Sequence, residues 1–279
     1  MDHFLYRNGV LHVEEVPVPE IAATVGTPFY CYSTATMTRH YQVLTESLAG
    51  AGAKVCYAIK ANSNQAVIRT MLELGAGADV ISGGELQRAL AAGAKPRDVV
   101  FAGPGKTEAE LVQALKAGIY QFNVESEPEL RLLSAVATEM GKVAPVSIRV
   151  NPDVDAGTHE KITTGRKQNK FGIPIDRAMD VFDLGARLPG LTMLGVAIHI
   201  GSQIVDLAPF EESFERALEL IDQLRAAGHD IQRCNLGGGL GITYADETPP
   251  PPAEYGRMIK RMTANRNLDL VLEPGRVLV

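Results

Sequence analysis

Short apolar runs alternate along the chain with segments whose apolar residues recur every three or four positions. The β-rich runs fall at residues 55–59, 78–82, 99–103, 121–125, 145–150, 194–200, 233–236 and 268–273, giving eight candidate strands. Between them, Leu111 and Leu115, then Leu130, Leu133 and Ala137, then Phe214, Leu218, Ile221 and Leu224 each mark one face of a helix. Gly75, Gly93, Gly118, Gly141 and Gly228 stand where such segments end and can take the left-handed cap conformation. Strand and helix in alternation predict a parallel sheet with crossover helices. Eight repeats in 279 residues fit a TIM (β/α)8 barrel better than an open Rossmann-like sheet. No GxGxxG follows the first run, and the glycine cluster comes only at the seventh.

Composition narrows the class. With 46% hydrophobic residues the chain can bury a sizeable core, and a net charge of -6 without a long basic block argues against nucleic acid or an anionic membrane as the main partner. Cys31, Cys56 and Cys234 are too few and too scattered for a disulfide framework or a zinc site, so they read as reduced thiols and no metal is expected. Met1-Asp2-His3-Phe4 lacks the basic-then-apolar pattern of a leader, and no apolar run is long enough to span a bilayer. The expectation is a cytoplasmic protein. Pro249 to Pro252 read as a stiff, exposed loop before a helix.

In a TIM barrel the chemistry sits on the loops after the strands, and the unusual residues of this chain fall there. Lys60 ends the first strand, where it is either a strand-capping surface lysine or an amine whose pKa is lowered for attack on a carbonyl. Asp79 and Ser82-Gly83-Gly84-Glu85 end the second, Arg149 and Asn151 the fifth, and His199-Ile200-Gly201-Ser202 the sixth. Gly237 to Gly241 follow the seventh strand, as a simple turn or as a set of backbone N–H groups for a phosphate. Glu273, after Leu270-Val271-Leu272, needs a hydrogen bond or a cationic partner, the latter being Arg276 or Arg149 in a salt bridge, or a protonated ring nitrogen. His199 is either a hydrogen-bonded core histidine or a flat ring that stacks on a planar ligand or shuttles a proton. Arg149 and Arg276 are either structural or hold a carboxylate or phosphate. Gathered at one barrel mouth, these groups outline a pocket for a phosphorylated aromatic aldehyde.

Six motifs in order, Tyr57 to Asn62, Asp79 to Leu86, Arg149 to Asp153, His199 to Gln203, Asn235 to Gly239 and Glu273 to Arg276, resemble the pyridoxal-phosphate-dependent decarboxylases of the alanine-racemase-like barrel fold. The basic run Thr164 to Gly172 is similar to a loop of that family. The resemblance implies pyridoxal 5'-phosphate as cofactor, with Lys60 its covalent anchor, Glu273 paired with the ring nitrogen and His199 stacked on the ring. It places Gly237, Gly238, Gly239, Gly275 and Arg276 around the phosphate, Arg276 also on the substrate, and Asp79, Arg149 and Ser202 near the cofactor. By the same resemblance, residues 198–203 and 158–172 favour diaminopimelate as the substrate, decarboxylated to lysine. The alternatives are another basic amino acid (ornithine, arginine or lysine) and a non-catalytic cofactor-binding barrel, which would lack residues 1–33.

The family carries a second, β-rich domain and works as a homodimer with shared active sites. By resemblance, residues 1–33 belong with that second domain and residues 34–279 form the barrel, stopping just past the eighth strand without the final helix. The expectation is that most of the C-terminal β domain is missing from this chain. That domain supplies a cysteine, acidic residues and a tyrosine to the family's site, and Cys31, Cys56 and Cys234 do not replace them.

Overall fold

The computed structural model describes residues 3–155 and 171–279. The chain opens with β1 (Phe4–Arg7), β2 (Val10–Val13) and β3 (Val16–Pro17), an antiparallel sheet that does not join the main one, followed by α1 (Val18–Val25). The turn between β2 and β3 places Glu14 at φ 55°. The Glu14 carboxylate accepts from Ser33 Oγ and Ala35 N at the start of α2 (Thr34–Ser47), tying this small unit to the barrel.

All eight barrel strands form: β4 (Ala53–Ala58), β5 (Gly77–Val80), β6 (Val99–Phe101), β7 (Gln121–Val124), β8 (Ala144–Asn151), β10 (Leu191–Ala197), β11 (Arg233–Asn235) and β12 (Asp269–Leu272). Every neighbouring pair is parallel, and β8 pairs with β10 while β12 pairs with β4, which closes the ring and rules out an open sheet. A two-residue β9 (Ile173–Pro174) pairs with the end of β8. The helices α3 (Gln65–Glu73), α4 (Gly83–Ala91), α5 (Glu108–Ala117), α6 (Glu127–Glu139), α7 (Ala178–Arg187), α8 (Ala208–Ala226) and α9 (Pro252–Thr263) follow in turn. Polar caps start several of them, with Ser82, Ser126 and Thr107 each accepting a backbone N–H of the first turn. The five glycines expected at helix ends all have positive φ, and Pro249 to Pro251 lead directly into α9.

Side chains alternate across each strand. One set, including Phe101, Phe122, Val146 and Ile148, packs against the helices in a continuous core. The other set faces the barrel axis, where Cys56, Val100 and Val271 make a small separate apolar cluster. The remaining inward positions are largely polar and buried: Asp79, Gln121, Asn123, Ser147, Asn235 and Glu273.

No helix follows β12 among the described residues, yet the helical ring has no gap there. The N-terminal helix α2 packs between α9 and α3, taking the place of the expected final helix. The fit is close. A Cβ on Gly256 of α9 would lie 2.3 Å from the Ser47 carbonyl oxygen. No helix among the described residues is long and apolar enough to cross a membrane, and no group of His, Cys, Asp and Glu there could hold a metal ion.

Candidate functional site

Because all eight strands point the same way, the residues just past their ends share one mouth of the barrel. A cavity of about 380 Å³ opens there. Lys60, His199, Ser202, Glu273 and Arg276 line it, together with Gly237, Gly238 and Gly239. The structure therefore brings together eight of the residues singled out in the sequence, and Gly275 with them.

Lys60 lies in a single 3-10 turn (Ile59–Ala61) directly after β4, and its Nζ donates to Asp79 Oδ2 at 2.9 Å. Burial pushes the amine pKa down, but the carboxylates of Asp79 and Glu273 outweigh it, so the net shift is upward. This corrects the expected depression. Asp79 is fully buried, and its other oxygen, Oδ1, has no hydrogen-bond partner among the described residues. Asp79 therefore bonds the amine through one oxygen only.

Glu273 makes neither of the salt bridges considered, to Arg149 or to Arg276. Its Oε1 accepts from Asn123 Nδ2 at 3.0 Å and Asn235 Nδ2 at 2.6 Å. Burial, reinforced by the Asp79 charge, pushes its carboxyl up to about 7. Arg149 is held on Glu125 at 2.8 Å, reaches the His199 carbonyl at 3.4 Å and stacks on Phe171, 5.2 Å from the ring centre. Of the basic run Thr164 to Gly172, only Phe171 and Gly172 lie within the described residues. Arg276 donates to the Tyr244 hydroxyl at 2.7 Å. The His199 Nδ1 accepts from Gly238 N at 3.3 Å, and burial beside the Arg149 and Lys60 cations drives the imidazole well below its ordinary pKa. The ring is therefore neutral, with its proton on Nε2.

The glycine run is dictated by backbone crowding. A Cβ at Gly237, Gly238 or Gly239 would sit 2.4, 2.3 or 2.4 Å from the carbonyl oxygens of Ile198, Glu273 and Gly201, and Gly237 and Gly239 have φ of 68° and 111°. The expected set of N–H groups is narrower than the run itself, since Gly237 N donates to Asn235 Oδ1 and Gly238 N to His199. The N–H groups of Gly239, Gly275 and Arg276 have no acceptor among the described residues. They lie on the loops after the seventh and eighth barrel strands, where barrels of this kind take phosphate. An unpartnered set of N–H donors, a lysine amine, a neutral imidazole and a buried carboxylate on one cavity fit a phosphorylated pyridine aldehyde.

Such a site defines a class of protein, a barrel whose mouth is shaped for a phosphorylated carbonyl cofactor. The chain belongs to the family of pyridoxal-dependent decarboxylases, whose pyridoxal-binding domain matches residues 34–279. It is 50% identical to the diaminopimelate decarboxylase of Vibrio cholerae, over the whole chain and 67% of that relative. To the diaminopimelate decarboxylase of Pseudomonas aeruginosa it is likewise 50% identical, with the same coverage. The Helicobacter pylori diaminopimelate decarboxylase complexed with L-lysine superposes with a TM-score of 0.91 at 38% identity, over 94% of this chain and 66% of that one. The chain thus spans about two thirds of the length of these relatives. A lysine decarboxylase from Selenomonas ruminantium, at 24% identity and a TM-score of 0.83, shares the fold.

Sequence reasoning missed Gln121, Asn123, Glu125 and Tyr244. A signal for the first three was present: Gln121-Phe122-Asn123-Val124-Glu125 alternates polar and apolar with period two, which in a strand walled by helices places the polar set inside the barrel. Asn235 stood inside a recognised motif without a role.

Proposed function

We propose that this protein decarboxylates meso-2,6-diaminopimelate to L-lysine and carbon dioxide, using pyridoxal 5'-phosphate. The observation that carries the chemistry is the pairing of Lys60 Nζ with buried Asp79 at the mouth where Glu273 also lies. The substrate rests on the relatives, which at comparable identity throughout the chain are diaminopimelate decarboxylases. When bound, the cofactor supplies the electron sink that makes loss of a carboxylate from an amino acid feasible.

The chain's own residues then have separable tasks. Lys60 is the amine that takes up the cofactor's aldehyde, and Asp79 Oδ2 orients it and holds its proton. Glu273 places a carboxylate at the ring nitrogen, whose positive charge would favour the ionised form that burial opposes. Neutral His199 offers a ring face. The N–H groups of Gly239, Gly275 and Arg276 bind the phosphate, with Gly237 and Gly238 shaping the floor beneath it. Arg276, steadied by Tyr244, meets a substrate carboxylate. Ser202 and Arg149 border the cofactor, Arg149 through its hold on the His199 carbonyl.

We further propose that residues 1–33 associate with a second β domain and that the enzyme is a homodimer with sites at the subunit interface. The separate β1–β3 sheet, with Leu5 and Tyr6 exposed, and the exposed Val25 of α1 support the first, and the family resemblance supports the second. One experiment tests the central reading. After incubation with pyridoxal phosphate and borohydride reduction, peptide mass spectrometry is expected to find the adduct on Lys60, and the cofactor-loaded, unreduced enzyme to release carbon dioxide from diaminopimelate well ahead of lysine, ornithine or arginine. Label spread over surface lysines, or preference for another amino acid, would overturn it.

A further inference from the structure

We propose that Gln121, Asn123 and Asn235 form a relay of side-chain amides that orients Glu273, so that one defined oxygen, Oε2, is left for the cofactor's ring nitrogen. The proposal rests on the cofactor reading above. Within it, Gln121 is a positioning residue that acts through Asn123.

The polarity of the relay is fixed from both ends. Asn235 Oδ1 accepts from the Gly237 backbone N–H at 2.9 Å, which can only donate, so the Asn235 amide must turn its Nδ2 to Glu273 Oε1, 2.6 Å away. On the other side the ionised carboxylate that a protonated ring nitrogen calls for can only accept, so Asn123 turns its Nδ2 to the same Oε1 at 3.0 Å. Its Oδ1 then faces Gln121 Nε2 at 2.7 Å. Both donors converge on Oε1. Oε2 receives no hydrogen bond from the described residues, although Glu273 lines the cavity.

The role of Gln121 follows from what it gives up. It is completely buried, and its Oε1 has no partner among the described residues, a cost that an apolar side chain of the same size would avoid. What it contributes is the Nε2–H. Without that donor the Asn123 Oδ1 becomes a buried acceptor with nothing to accept, and the amide loses the contact that holds it where its Nδ2 reaches Glu273. Gln121, Asn123 and Glu125 lie on one face of a single run of chain, and Glu125 holds Arg149. One strand thereby sets the orientation of both Glu273 and Arg149.

The test uses the full-length protein loaded with pyridoxal phosphate labelled with nitrogen-15 in the ring, whose chemical shift reports protonation of that nitrogen. Gln121→Met keeps the side-chain volume and removes the donor. It is expected to retain cofactor on Lys60, move the ring shift toward the unprotonated form and lower kcat about 10-fold with KM changed less than about twofold. Asn123→Leu should do the same, and the double variant should be no worse than Asn123→Leu alone, because the relay is already cut. A wild-type ring shift and kcat in Gln121→Met, or losses that add in the double variant, would overturn the relay. Should Gln121→Met not fold, an unchanged ring shift in Asn123→Leu or Asn235→Leu overturns it equally. Failure of the wild-type protein to hold cofactor on Lys60 is a distinct outcome, seen before any variant is made, and it removes the cofactor reading along with the relay.

Discussion

At the scale of single residues, Lys60 and Glu273 show burial overruled by a neighbouring charge in one place and decisive in the other. Lys60, half-exposed to the cavity, has a carboxylate 2.9 Å away and its pKa rises, whereas Glu273 is buried against two neutral amides and is pushed up to about 7. For Glu273 the sign of the consequence is fixed. Its folded-state value lies above the ordinary 4.5, so the folded protein holds the extra proton, and the stability this gives is complete below about 4.5 and lost as pH rises through about 7. Glu273→Gln mimics the protonated form. In cofactor-free protein it is therefore expected to raise Tm above wild type at pH 8 and to match it at pH 4. His199, whose lowered pKa acts in the opposite direction, is common to both proteins and cancels. A Tm gain largest in acid would contradict the assignment. In loaded enzyme the same variant should retain cofactor and lose on the order of 10²-fold in turnover, as expected for removal of a placed electrostatic partner.

Among the elements, α2 joins the two ends of the helical ring. It completes the ring between α9 and α3, and it touches the cavity through Leu44, as α9 does through Tyr255. Gly256 sets the spacing of this pair, because a methyl group there would meet the Ser47 carbonyl at 2.3 Å. Gly256→Ala gains helix propensity but must push the helices apart, so we expect a net loss of about 2 kcal/mol in urea unfolding. For comparison Thr107→Ala, which removes the capping box of α5 without forcing any backbone apart, should lose about 1 kcal/mol. Equal losses from the two would mean that the α2–α9 contact yields at no cost.

At the scale of the whole molecule, polar networks run through the barrel as well as around it. Lys106 is 6% exposed, and its Nζ bonds the Gly103 and Asn123 carbonyls and Glu129, each at 2.7 Å, joining the loop after β6 to the strand and helix that follow. Glu129 in turn accepts from Glu125 N, whose side chain holds Arg149, so this network reaches the active-site mouth. Lys106→Met leaves a buried carboxylate without its cation and should cost about 3–5 kcal/mol. Adding Glu129→Leu should recover most of that loss in chemical denaturation, since replacing both members of a buried pair is far milder than breaking it. Losses that simply add would show that the pair is not coupled.

Much of this architecture was legible in the chain because barrel strands, crossover helices and their glycine caps are local choices. Eight apolar runs become eight strands, and the side chains at their ends meet because parallel strands carry their ends to one mouth. The residue types of the site, amine, carboxylate, imidazole and glycines, were equally readable at those ends. Other features depended on positions distant in sequence. Asn123 and Glu273 bond across 150 residues, α2 fills a ring position that sequence order assigns to a later helix, and the rise in the Lys60 pKa depends on Asp79 in the next strand. The sequence by itself determined which chemistry the mouth could hold. Tertiary structure decided the charge states, the hydrogen-bond partners and the closure of the ring, because burial and through-space electrostatics depend on what the fold places within a few ångströms, not on what is adjacent along the chain.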